Sequence, residues 1–68
     1  MTVDDIQARI TAIRVWAVDQ EEFGKARQVE DQLWEDVLRE IAQGAPDAAD
    51  LAKAALESTL VRYPRNAA

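Results

Sequence analysis

Apolar residues recur along this chain at spacings of three and four, which places them on single faces of helices. Val3, Ile6, Ile10, Ile13 and Ala17 form the first such face. Thr2 stands before it as a capping hydroxyl, and Asp4 and Asp5 fall in the first turn, where the helix dipole favours negative charge. Asp5 and Arg9 are spaced to pair at i,i+4. The second stripe carries Phe23, Ala26, Leu33, Trp34, Val37, Leu38 and Ile41, with Glu35, Asp36, Arg39 and Glu40 on the other side. Gly44 is placed to end it in a left-handed cap, and Pro46 blocks continuation. The third stripe begins near Asp47, with Asp50 as a weak relative of a capping box, and reads Ala48, Leu51, Ala52, Ala55, Leu56, Thr59, Leu60. The spacing therefore predicts helices over about 3–18, 20–43 and 47–61 and a short tail, 62–68. The expected fold is all-α: one domain over 1–68, an antiparallel helical hairpin with a third helix packed across it.

The stretch from Ile13 to Trp34 allows two structures. As one helix with the rest, it makes a rod about 60 Å long at 1.5 Å per residue, which must pair with another chain. As a hairpin, it bends at Asp19, which can cap a new helix with Glu22 closing a capping box. The first stripe, continued at its own spacing, reaches Gln20, Gly24 and Arg27, none of them core residues. The bend is the expectation.

The patch Val15-Trp16-Ala17-Val18 precedes that bend. Val15 and Val18 point away from the isoleucine face, so the end of the first helix is apolar nearly all round, as in helices covered on several sides. Either the third helix and the Tyr63 tail cover it, or another chain does. Glu30 interrupts the second stripe, and an unpaired buried carboxylate is costly. It lies at the surface, is paired by Arg27 or another arginine, or makes an interface contact.

Composition narrows the chemistry. The chain has 68 residues, and a core that small is marginal without help. It contains no cysteine and no histidine, which removes disulfides, thiolate chemistry and the commonest general base and metal ligand. Paired carboxylates such as Asp31 with Glu35 lack the histidines of helical metal sites; no metal or cofactor is expected. Ser58 has no histidine to activate it, and Gly24 and Gly44 are too isolated for a phosphate loop. No enzyme activity is expected.

The net charge of −5, with the arginines and lysines dispersed, argues against nucleic acid as a partner. No apolar run approaches a membrane span and no secretory signal opens the chain. A cytoplasmic protein is the expectation.

The segment from Glu30 to Leu60 resembles small acidic helical proteins of actinobacteria and their phages, which carry a pattern "ED-L--DVLR-IA-GA-D---LA--AL". The match is carried by Glu30, Asp31, Leu33, Asp36, Val37, Leu38, Arg39, Ile41, Ala42, Gly44, Ala45, Asp47, Leu51, Ala52, Ala55 and Leu56. The resemblance implies a helical fold and an origin, and no activity. Those proteins often end in an aromatic, Arg, Trp and Cys cluster; here Tyr63-Pro64-Arg65-Asn66 stands in its place without Trp or Cys.

The functional expectation is a small protein-binding module that binds a protein partner, itself or both, such as a phage-encoded modulator of a host protein. Its anchors are Val15, Trp16, Val18, Phe23 and Trp34, with Arg27 and Glu30 as a polar pair setting register. Two alternatives stand beside it. One is a sponge or sensor for a small anion or nucleotide, with a pocket between subunits. The other is a DNA-binding regulator, for which "ADLAKAALESTLVRY" resembles part of a helix-turn-helix.

Overall fold

A computed structural model describes residues 1–65; 66–68 of the expected tail lie outside the described residues. Three helices form: α1 over Val3–Ala17, α2 over Phe23–Ala42 and α3 over Ala48–Leu56. A 3₁₀ turn, Gln20–Glu22, leads into α2, and a second, Glu57–Leu60, continues α3. No strand occurs among the described residues, and the fold is the expected three-helix domain. No helix among them is long and apolar enough to cross a membrane.

The helix ends follow local chemistry. Thr2 and Asp5 form a full capping box: the Thr2 N–H donates to the Asp5 carboxylate at 2.9 Å, and the Asp5 N–H to the Thr2 hydroxyl at 3.2 Å. Asp5 is thereby committed to the cap, and Arg9 reaches Asp36 on α2 instead, at 2.5 Å. The expected Asp5–Arg9 pair is replaced by a bridge between helices. At the other end of α2, Gly44 takes φ +89°. Its N–H bonds the Ile41 carbonyl, and the Ala45 N–H bonds that of Glu40, closing a Schellman motif.

The chain bends where expected. Asp19 caps the 3₁₀ turn through the Glu21 N–H at 3.0 Å, and Glu22 closes no box but pairs with Lys25 at 3.3 Å. The ion pair of the Met1 ammonium, just before α1, with Glu40, in the last turn of α2, at 3.3 Å makes the hairpin antiparallel. Asp47 makes no side-chain cap on α3.

The core is small. Ile6, Ile10 and Ile13 from α1 meet Ala26, Leu33 and Val37 from α2 and Leu51, Ala54 and Ala55 from α3. Val61 and Tyr63 close it from beyond the helices. The alanines let α3 sit close against the hairpin. The buried face of α3 is rotated from the expected one: Ala54 and Ser58 point inward, while Leu56, Thr59 and Leu60 are exposed. α3 packs on both α1 and α2, so its buried arc centres on Leu51 and Ala55. The tighter three-residue turn after Leu56 then carries Ser58 in and Leu60 out. Val61 and Tyr63 take the core positions expected of Thr59 and Leu60.

Candidate functional site

Two exposed apolar surfaces and one buried polar cluster stand out. The first surface lies between α2 and α3. Trp34, Val37, Leu38 and Ile41 form one wall and Ala52, Ala55 and Leu56 the other, around a groove of about 160 Å³. No charged side chain lines it. Leu38 is 60% exposed and Leu56 52%. The charges of α3 lie on its opposite side: Asp50, Lys53 and Glu57 border the seam with α1, where Gln7 bonds Glu57 at 2.8 Å. On α2, Glu35 and Arg39 pair with one another at 2.5 Å.

The second surface is the outer end of α1, where Val15 is 58% and Val18 86% exposed. The described part of the tail, through Arg65, does not cover them. Trp16, between them in sequence, turns the other way, half-buried against the core with the Lys25 ammonium 4.7 Å from its ring centre.

The polar cluster surrounds Glu30, which is buried on α2. Arg65 grips its carboxylate with two nitrogens, at 2.8 and 3.1 Å, and the Tyr63 hydroxyl donates to it at 2.6 Å. Arg65 also bonds the Ser58 and Val61 carbonyls, both at 2.9 Å, and its guanidinium lies 4.3 Å from the Tyr63 ring centre. Phe23 packs on that ring with centroids 6.1 Å apart. The Trp34 indole N–H donates to the Ser58 hydroxyl at 2.9 Å. Burial is the largest single influence on Glu30 and acts to raise its pKa. The hydrogen bonds from Arg65, Tyr63 and Ser58, with the Arg65 charge, outweigh it, and the net pKa falls below the ordinary 4.5. Tyr63 moves up to about 12, first through burial and then through its bond to the Glu30 carboxylate.

The sequence-derived anchors therefore separate into three places. Val15 and Val18 share the α1 surface. Phe23 and Glu30 belong to the buried cluster, and Trp34 spans cluster and groove. Arg27 is not the partner of Glu30: it pairs with its helical neighbour Asp31 at 3.2 Å and donates to the Arg65 carbonyl. Arg27 and Glu30 are three residues apart, and the guanidinium stays on the exposed face. The arginine that does pair with Glu30 comes from beyond α3. Leu38, Leu56 and Leu60 were read as core-facing and are the residues sequence reasoning missed as surface.

A wider depression, about 530 Å³, lies over Asp5, Arg9, Asp36, Arg39 and Glu40. Its arginines are already bound to Asp36 and Glu35, so it offers an anion no free cationic cradle. No group of three acidic residues placed to hold a metal ion occurs among the described residues. Compared with protein families, curated proteins and solved structures, the chain matches none.

Proposed function

We propose that this chain is a protein-binding module, not an enzyme, and that its binding face is the apolar groove between α2 and α3, which accepts the uncharged apolar face of another helix. The observation that carries this is the set of leucines left outside a core that had room for few. Burying a leucine fully is worth about 1.5–3 kcal/mol. Leu38 and Leu56, each exposed by half or more, therefore retain about 1–2 kcal/mol apiece that only a covering surface can recover. Helix-in-groove recognition uses this arrangement: anchors at helical spacing, a tryptophan in the wall, and charges kept to the rim.

Two other readings fit the charge distribution less well. An anion sponge needs converging free cations; Arg9, Arg27, Arg39 and Arg65 are each bound to a carboxylate of this chain, and Arg14, Lys53 and Arg62 sit exposed on three separate segments. A DNA reader needs a basic face, and the outward face of α3 carries Lys53 between Asp50 and Glu57.

The test uses the Trp16→Phe variant, which leaves Trp34 as the only indole, and a synthetic amphipathic helix whose apolar face is leucine and alanine. Saturable blue-shifted Trp34 emission is expected, and its loss in Leu56→Asp. An emission spectrum unmoved up to millimolar peptide sinks the reading.

A further inference from the structure

We infer that the occupant of the α2–α3 groove is a second copy of this chain, joined by a two-fold axis beside Leu38 that sets the two α2 helices antiparallel. This rests on the groove being a binding face and goes further by naming what fills it.

Charge decides between the two exposed apolar surfaces. The α1 surface runs along Ala8, Thr11, Val15 and Val18, with Asp4 in line at one end and Asp19 at the other. Two copies joined there would set Asp4 against Asp19 if antiparallel, and each aspartate against its own image if parallel. Like charges face each other either way, and Arg14 at its edge has no acid placed opposite.

The groove has none of these conflicts. Its lining is uncharged, so two acidic chains can close over it without burying like charges. Its α2 rim carries one acid and one base, Glu35 and Arg39, a single turn apart. With α2 helices antiparallel about Leu38, Glu35 of each copy comes within reach of Arg39 of the other. A parallel arrangement would instead set Glu35 against Glu35.

Shape agrees with the same register. Trp34, half-buried and large, falls opposite Ala42 of the second copy, which is exposed and small. Leu38 of each copy meets the other's groove, whose volume of about 160 Å³ is close to that of cavities that hold a benzene ring. Leu56 extends the covered surface onto α3. Such an interface is isologous, each copy giving and receiving the same residues, so it closes at two and does not grow into a filament.

Sedimentation of the full chain over micromolar to millimolar concentration tests this. A monomer–dimer equilibrium is expected, with Leu38→Glu a monomer throughout and Val18→Glu unchanged. Glu35→Lys and Arg39→Glu alone should each weaken the dimer about five-fold through two like-charged contacts, and the double exchange should restore it. Circular dichroism confirms that each variant is folded, since all four positions are exposed. A monomer at every concentration, an unaffected Leu38→Glu, or a dimer lost in Val18→Glu overturns the inference. If the chain stays monomeric and the synthetic helix still shifts Trp34, the second copy is refuted while the groove's binding role stands.

Discussion

Replacing Arg65 with alanine should destabilise the protein far more than loss of a surface arginine does, and the loss should depend on pH. The Glu30 carboxylate is almost wholly buried, and the Arg65 side chain about one-third exposed. Removing one partner of a buried ion pair costs about 3–5 kcal/mol, because the other charge is left without compensation. The exposure of the guanidinium and the surviving Tyr63 bond reduce that to about 2–3 kcal/mol here. For a domain this small, each kcal/mol moves the melting temperature about 4–8 °C, so a fall of at least about 8 °C is expected.

The pH dependence follows from the direction of the Glu30 shift. Its folded pKa lies below the ordinary 4.5, so the native protein gains stability from it above that value and loses this as pH falls through the folded value. In the Arg65→Ala protein two of the influences that lower the Glu30 pKa are gone, so Glu30 takes up a proton more readily than in the parent. The gap between the two proteins is therefore widest near neutrality and narrows toward about pH 4. Thermal unfolding followed by circular dichroism at several pH values reads both effects, with Arg62→Ala as the exposed control, expected within about 0.5 kcal/mol of the parent. An Arg65→Ala cost below about 0.5 kcal/mol at pH 7, or one constant between neutral and acid pH, would refute the reasoning.

Two further outcomes follow from single residues. Alanine at Gly24 and at Gly44 should act in opposite directions, although an added Cβ meets no atom within 4 Å at either. Gly24 is the second residue of α2 and has no positive φ, so alanine there should raise stability by up to about 0.5 kcal/mol; Gly44 sits at φ +89°, where a side chain should cost about 1 kcal/mol. Both are read from urea midpoints, and equal signs would contradict the cap assignment. Spectrophotometric titration of Tyr63 should show its phenol ionising near pH 12 rather than 10; since the folded value is the higher one, its contribution to stability is complete below pH 10 and lost as pH rises toward 12. In Glu30→Gln that ionisation should fall back toward the ordinary value.

How far the sequence revealed this structure varied with how local the determining physics was. α1 was readable end to end, because its isoleucines recur on one arc and its cap lies within three residues. The bend was readable from Asp19 and from the polar residues that interrupt the first stripe. α3 was misread because Ala48, Ala49, Ala52, Ala54 and Ala55 occupy nearly every side of it. Alanine packs and is solvated almost equally well, so the stripe did not fix a face, and the 3₁₀ turn then rotated Leu60 outward. Glu30 was legible as an anomaly, but its partner lies 35 positions away, and no spacing rule connects them. Leu38 and Leu56 fit a core pattern because periodicity records which residues need cover, and not which chain supplies it.

Trp34 shows why the buried cluster and the exposed groove belong together. A leucine would serve the groove wall equally well, and the core does not require an indole at a half-buried position. The tryptophan supplies a broad apolar ring on the groove side and a single N–H on the other, where the Ser58 hydroxyl receives it. Ser58 is itself held through its carbonyl by Arg65, and Arg65 by the carboxylate of Glu30, one turn before Trp34 on the same helix. The loop of contacts closes on α2: Glu30 to Arg65, to Ser58, to Trp34. A chain with so small a core cannot fix a surface ring by packing alone, and this ring is fixed by hydrogen bonds whose members are all buried or half-buried. The groove wall is therefore set in the free chain, and the proposed binding would order fewer side chains for it.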